Sequence, residues 1–210
     1  MSEGWNHNTH YHDIVLDSVP PNCRRALDVG CGEGLLARRL VQRCEEVLAL
    51  DLDAAVLVRA AANSAEPRIA FRQGDVMTDD LAREGFDFIS VVAALHHLPL
   101  RPALERFREL LKPGGCLAIV GLYRAETPID YAIALAAFPA SSLMRAINGY
   151  AEVEAPLAEP TETLRDIRAA CDAVLPGAIL HRRLFFRFTL LWRKQATPPL
   201  PSPQAAIGTR

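Results

Sequence analysis

Short aliphatic runs alternate along this chain with longer segments whose apolar residues recur every three or four positions. The uninterrupted runs 26–29, 47–50, 69–72, 88–92 and 116–121 predict strands. Their lack of polar alternation suits a parallel sheet covered on both faces. Segments 35–43, 54–63 and 101–111 carry apolar residues at helical spacing with charges elsewhere, as helices packed on such a sheet do. Pro102 fits a first helical turn, and Lys112-Pro113-Gly114-Gly115 ends that helix and turns the chain into a fifth strand. Beyond Gly121 the rhythm changes. Residues 127–150 form a mostly apolar helical stretch interrupted at Pro139, 152–162 is acidic and proline-punctuated, a helix is expected over 162–175, and 178–185 and 187–193 read as a strand hairpin. Residues 196–210 hold four of the fifteen prolines and few large apolar groups, so a disordered tail is expected.

Composition narrows the classes. With 210 residues, half of them hydrophobic, the chain supports one α/β domain, placed at 1–195. A formal net charge of −2 supplies no field for nucleic acid or an anionic membrane. No apolar leader opens the chain, and no apolar run approaches the roughly 20 residues of a membrane span. The five cysteines form no C-x-x-C pair and read as reduced thiols. These features point to a cytoplasmic protein with a small, nearly neutral partner, as monomer or homodimer.

The first strand ends in Asp28-Val29 and runs into Gly30-Cys31-Gly32-Glu33-Gly34 before a helix. That order presents backbone N–H groups to a ligand, with no Cβ to block its approach. The dinucleotide fingerprint would need its third glycine where Leu35 stands, and no Gly-Lys-Ser/Thr follows for a phosphate loop. Asp51, seventeen residues past Gly34, closes the second strand where a carboxylate can accept from ribose hydroxyls, with Asp53 as a possible assistant. Gln73-Gly74-Asp75-Val76 follows the third strand, and a carboxylate there can accept from an adenine amine. Each feature also has a plain reading, a tight turn for the glycines and helix N-caps for the aspartates. Their convergence at three strand ends favours an adenosine without phosphate.

The stretches 27–34, Leu50-Asp51-Leu52-Asp53, Gly74-Asp75-Val76, Ala94-Leu95-His96-His97-Leu98 and Leu111-Lys112-Pro113-Gly114-Gly115 together resemble the class I S-adenosylmethionine-dependent methyltransferases, in particular the small ubiquinone-biosynthesis-like group. The resemblance implies a Rossmann-like, mostly parallel seven-stranded sheet in the order 3-2-1-4-5-7-6, last strand antiparallel. It implies S-adenosylmethionine as cofactor and S-adenosylhomocysteine as product. Gly30 and Gly32 would contact its amino-acid portion, within a loop that also includes Asp28, Cys31 and Gly34. Asp51, with Leu52 beside it, would hold the ribose; Gly74, Asp75 and Val76 would address the adenine; Ala93 and Ala94 would lie along the methionine side.

Methyl transfer from a sulfonium needs alignment and a dry pocket more than a catalytic group. If a base serves, His97, His10 and His7 are the candidates, in that order. His96 and His97 read alternatively as helix-start residues, and the segment Trp5 to His12 as a polar tail. An N-terminal cap over 1–22 would bring Tyr11 to the cofactor carboxylate, or Tyr11 and Trp5 to the sulfonium. The spacing of His7, His10 and His12 matches no standard zinc pattern, so no metal is expected. The insertion 125–160 is expected as a lid over the acceptor site, with Ile129 and Ile133 in an apolar wall and Tyr123 orienting a polar group. The reaction implied is methylation of O, N or C of a small, possibly hydrophobic metabolite. A non-catalytic sensor or partner subunit that binds S-adenosylmethionine is the alternative. Nucleic-acid methylation is disfavoured because Ala93-Ala94-Leu95-His96 stands where an Asn/Asp-Pro-Pro-Tyr/Phe tetrapeptide would be.

Overall fold

In the computed structural model, residues 9–131, 133 and 159–196 are described. Trp5, His7, most of the 125–160 insertion and the tail 197–210 lie outside the described residues. The elements are α1 (His12–Asp17), β1 (Arg25–Val29), α2 (Leu35–Leu40), β2 (Glu46–Asp51), α3 (Ala54–Ala62), β3 (Ile69–Gln73), β4 (Phe86–Val92), α4 (Leu100–Leu110), β5 (Leu111–Leu122), α5 (Leu164–Val174), β6 (Ile179–Arg183) and β7 (Arg187–Arg193). They build a seven-stranded sheet in the order β3-β2-β1-β4-β5-β7-β6. All neighbours from β3 to β5 pair in parallel, and β7 runs antiparallel to β5 and β6. This is the sheet order and the α/β class expected.

Strand alternation divides the core in two. Leu27, Val29, Ile89, Val91, Leu117, Ile119, Phe188 and Leu190 face one side, with Leu104 and Phe107 of α4 and Ile167 and Cys171 of α5. Ala26, Ala49, Phe88, Ala118 and Val120 face the other, with Tyr11, Val15, Leu16 and Leu36, Ala37, Leu40 from the segments around α1 and α2. A two-residue period with both faces apolar gives the continuous hydrophobic runs seen in the sequence. Asp28 and Ser90 interrupt those runs, and they sit opposite one another in the β1–β4 register.

Three local features differ from the expectation. α1 has six residues, too few to show a helical period. α2 stops at Leu40, and the chain continues in turns to Cys44, whose amide reaches the Leu40 carbonyl at 2.9 Å. β5 begins at Leu111, so Lys-Pro-Gly-Gly lies inside the strand. There Leu111 pairs with Phe86, the register shifts before Phe88, and past the end of β7 the Gly114 amide donates to the Lys194 carbonyl and the Lys194 amide to the Gly115 carbonyl, each at 2.9 Å. The glycines break the helix as expected, and the sheet edge then captures the broken segment.

α5 starts on a capping box in which the Thr163 hydroxyl accepts from the Asp166 amide and the Asp166 carboxylate accepts from the Thr163 amide. Thr163→Ala should lower stability by about 1 kcal/mol, read from the urea midpoint at unchanged slope. An unmoved midpoint would show that the box contributes nothing.

Candidate functional site

The chain leaves β1 through Gly30, whose φ is +68° and where a Cβ would stand 2.5 Å from that of Ala94. Only glycine lets the exits of β1 and β4 close on each other in this way. A Cβ at Gly34, φ +74°, would strike the Phe71 ring at 2.6 Å, whereas nothing lies within 4 Å of a Cβ at Gly32. The loop is thus braced at both ends and open at its tip. The Gly30 and Cys31 amides donate to the Leu50 carbonyl at 2.8 and 3.1 Å, and the Gly32 amide donates to Asp51 Oδ2 at 2.8 Å. Amides spent this way do not form the nest that a phosphate requires.

Asp28 lies under this loop, fully buried. Ser90 Oγ donates to its Oδ1 at 2.7 Å, while Oδ2 has no hydrogen-bond partner. Burial, reinforced by the Asp51 charge and opposed by the Ser90 hydrogen bond, pushes the Asp28 pKa up to about 7. A buried carboxylate oxygen without a partner is costly, so the position suits a ligand that brings a cation. Cys31 is buried beside it, and burial together with Asp28 and Asp51 pushes its thiol up, which leaves an inert thiol.

Asp51 Oδ1 accepts from the Asp53 amide at 3.0 Å. Each of its oxygens therefore takes one amide and keeps acceptor capacity for a diol. Asp53 caps α3 through the Ala55 and Val56 amides. Leu52 is 63% exposed, with its carbonyl held by Gln73 Nε2 at 3.1 Å, and offers an apolar cover for a base. The Gly74 amide donates to the Asp51 carbonyl at 3.0 Å, and a Cβ on Gly74 would collide with the Asp79 carboxylate. Asp75 Oδ1 caps the next turn through the Met77 amide at 2.9 Å. Val76 is buried, and Arg106 of α4 holds the Val76 and Asp79 carbonyls at 3.1 and 2.7 Å. Asp28, Gly32, Asp51, Leu52 and Asp75 thus sit on the carboxyl ends of three adjacent strands.

Past β4, Ala93 adopts φ +53°, a left-handed conformation that costs a non-glycine residue roughly 1–2 kcal/mol. Its amide, bonded to the Val120 carbonyl at 2.7 Å, holds it there. Ala94 follows against Gly30, and then a 3₁₀ turn, Leu95–His97. The two histidine rings lie 4.0 Å apart. His97 is exposed; His96 is half-buried, and its Nδ1 is sealed without a partner. Burial, then His97 and Arg187, push the His96 pKa down to about 4.

The N-terminal residues are placed otherwise. Tyr11 Oη donates to the Leu184 carbonyl at 3.2 Å, and His10 packs edge-on against Tyr11 and Phe185. Both fasten the start of the chain to the β6–β7 turn. Tyr123 is buried at the end of β5, its hydroxyl unpartnered and pushed up to about 12 by burial and the neighbouring Asp130. Asp130 itself caps the helical turn that opens the insertion, accepting the Thr127 amide and hydroxyl at 2.8 and 2.7 Å, and its Oδ1 lies 3.3 Å from Arg182. Ile129 is exposed and Ile133 half-buried. Among the described residues no group of acidic, histidine and cysteine side chains is placed to hold a metal.

The sequence alone does not single out Ser90, Arg106 or Asp130, and of the histidine pair it favours His97 over His96. A hydroxyl inside an otherwise apolar parallel strand marked Ser90; Arg106 and Asp130 carried no local signal, because elements distant in the chain give them their roles.

The acidic residues and glycine loop at the ends of β1, β2 and β3 suit an unphosphorylated nucleoside, and comparison with known proteins supplies the class. The family profile described as "Methyltransferase domain" matches residues 26–115. An uncharacterized methyltransferase of Mycobacterium tuberculosis is 40% identical over 196 residues, covering 92% of this chain and 98% of that one. The chain belongs to the class I S-adenosylmethionine-dependent methyltransferases, and its cofactor is S-adenosylmethionine. A ubiquinone biosynthesis O-methyltransferase of Xanthomonas axonopodis pv. citri is more distant, 34% identical over 127 residues, 59% of this chain and 52% of that enzyme. In fold, a SAM-dependent methyltransferase from Methanosarcina mazei superposes with a TM-score of 0.63 at 15% identity, over 88% of this chain and 98% of that one.

The unpartnered Asp28 oxygen is a candidate acceptor for a ligand ammonium, which a substitution tests. Asp28→Asn should weaken S-adenosylhomocysteine binding at pH 8 by about 10- to 100-fold, the loss of a charge-assisted hydrogen bond. The sign for the ligand-free fold is opposite. A carboxyl whose folded pKa is raised to about 7 contributes stability below its unfolded value that is lost as pH rises through 7. The ligand-free variant should therefore melt no lower than wild type at pH 8. Unchanged affinity, or a large drop in melting temperature, would contradict this role.

Proposed function

We propose that the enzyme moves a methyl group to an oxygen, nitrogen or carbon atom of a small, hydrophobic metabolite seated over the ends of β4 and β5. The observation that supports this reading is a narrow cleft, with space for little more than a water, lined by Leu95, Leu98, Leu100, Leu122, Pro160 and Ile167, with His96, Thr161 and Glu162 as its polar members. It lies at the turn that follows Ala94, where the family resemblance expects the methionine arm, and its leucine side chains would help to exclude water from the reacting atoms. S-adenosylmethionine supplies an electrophilic methyl on a sulfonium. The chain contributes orientation: Gly30, Gly32 and Asp28 for the amino-acid portion, Asp51 for the ribose, Asp75 and Val76 for the adenine, Ala93 and Ala94 for the methionine arm. Tyr123, Ile129 and Ile133 stand at the acceptor side, while the bonds of Tyr11 and His10 to the β6–β7 turn support a bracing role for the N-terminal cap. The net charge of −2 gives no basic field for nucleic acid and so supports a small-molecule acceptor.

Asp51→Ala tests the seat. It should cost about 100-fold in S-adenosylhomocysteine affinity by calorimetry, the sum of two ribose contacts to a charged acceptor, with the circular dichroism spectrum unchanged. The reaction is tested by release of S-adenosylhomocysteine across apolar acceptors bearing hydroxyl, amine or activated carbon groups. Cofactor that binds and stays unconsumed with all of them would replace the enzyme by a cofactor-binding sensor or partner subunit.

A further inference from the structure

We propose that Cys23 and Cys44 are a dithiol site that oxidises to an internal disulfide, closing a ring around the unit of β1, glycine loop and α2. The site lies at the amino ends of β1 and β2, away from the carboxyl ends that hold Asp28 and Asp51, and is independent of the acceptor reading. Register brings the pair together. β1 and β2 are parallel neighbours with Arg25 opposite Glu46, and each cysteine stands two residues before its strand. The alignment continues ahead of the strands, where the Glu46 amide donates to the Arg24 carbonyl at 2.9 Å and the Glu45 amide to the Cys23 carbonyl at 3.1 Å. Carried back two residues, this register sets Cys23 opposite Cys44. Adjacent strands lie about 4.8 Å apart, within the roughly 4.4–6.8 Å of Cα separation that a disulfide spans. Both side chains are buried in the same core layer, each 4% exposed. Hydrogen-bonding contact with the Cys44 sulfur, then burial, push the Cys23 thiol up.

The other three cysteines cannot take either place. Cys116 lies on β5 opposite Phe88 of β4, and β4 separates β5 from β1. Two strand spacings, about 10 Å, exceed the reach of a disulfide. Cys31 follows the far end of β1, a strand of five residues that spans about 16 Å. Cys171 belongs to α5, in the core layer on the other side of the sheet.

Cys23 and Cys44 are free thiols in this structure, so the bond needs an oxidant. A peroxide suits a pair this enclosed, because it is little larger than water. One thiol loses its proton and its sulfur attacks a peroxide oxygen. The O–O bond breaks, leaving a sulfenic acid and a hydroxide that takes up the released proton. The second sulfur then attacks the sulfenic sulfur, the S–S bond forms, and the hydroxyl leaves as water with the second thiol's proton. Two thiols are oxidised and one peroxide is reduced to two waters. A thiol held protonated reacts slowly, so the pair responds to sustained oxidation. The bond encloses residues 24–43, with Gly30, Gly32 and Gly34 among them, and restricts the unfolded chain more than the folded one.

The experiment treats the folded full chain with hydrogen peroxide, blocks the remaining thiols with iodoacetamide in denaturant, and digests with trypsin in the absence of reductant. Cleavage after Arg24, Arg25, Arg38, Arg43 and Arg59 places Cys23, Cys31 and Cys44 on separate peptides, 1–24, 26–38 and 44–59. Peptides 1–24 and 44–59 should be found joined by mass spectrometry and should part on reduction. The oxidised chain should melt about 5–10 °C above the reduced one, a difference that dithiothreitol removes. C116A should keep both the linkage and the rise, and C44A, with a wild-type circular dichroism spectrum, should lose both. Cys23 and Cys44 recovered on unlinked peptides once peroxide has oxidised the half-buried Cys116 would overturn the proposal. A linkage of either to Cys31 or Cys116, or joined peptides with no rise in melting temperature, would overturn it equally.

Discussion

A carboxylate buried at the end of the central strand, with one oxygen satisfied and the other left open, is the constraint around which this fold is arranged. Asp28 occupies a position that β-alternation assigns to the apolar core. Ser90 on the next strand satisfies one oxygen, and the glycine loop seals the pair from water. With Asp51 close by, the loop carries negative charge and offers few free amides. That combination is unfavourable to a pyrophosphate and suits a ligand with a cationic amino-acid arm and an unphosphorylated ribose.

The remainder of the site follows from where the parallel strands end. β1, β2 and β3 deliver the carboxylates of Asp28, Asp51 and Asp75 side by side, while β4 exits through Ala93 in a left-handed conformation. The strain at Ala93 turns the chain sharply enough to lay Ala94 on Gly30 and to carry His96 over the apolar cavity. Arg106 and the capping roles of Asp53 and Asp75 hold the surrounding loops from below. Two of the acidic groups therefore have a structural duty and a ligand-facing surface at once, which is why the helix-cap and ligand readings of these residues are compatible.

Much of this was legible in the chain. Uninterrupted apolar runs located the parallel strands, because residues buried on both faces leave no polar register. The glycine spacing ending in Leu35, with Asp51 and Asp75 at later strand ends, pointed to residues that the fold does bring together at the ends of β1, β2 and β3. Local pattern failed where tertiary contacts decide. Six residues of α1 are too short for a period, and the Lys-Pro-Gly-Gly stretch reads as a turn although β4 and the end of β7 draw it into the sheet. Of two adjacent histidines the sequence cannot say which is half-buried, since that depends on the 3₁₀ turn and on how it packs in the fold. Tyr11 was read toward the cofactor; a carbonyl in the β6–β7 turn takes its hydroxyl instead.

The claim that a half-satisfied Asp28 recognises the cofactor's ammonium is tested most directly by comparing two ligands across pH. S-adenosylhomocysteine carries the amino-acid arm and 5′-methylthioadenosine lacks it. Calorimetry from pH 6 to 8 should show S-adenosylhomocysteine binding tighten as Asp28 ionises near 7, by up to about tenfold per pH unit below that value, with methylthioadenosine affinity flat. Parallel pH dependence for the two ligands, or none for either, would contradict the account.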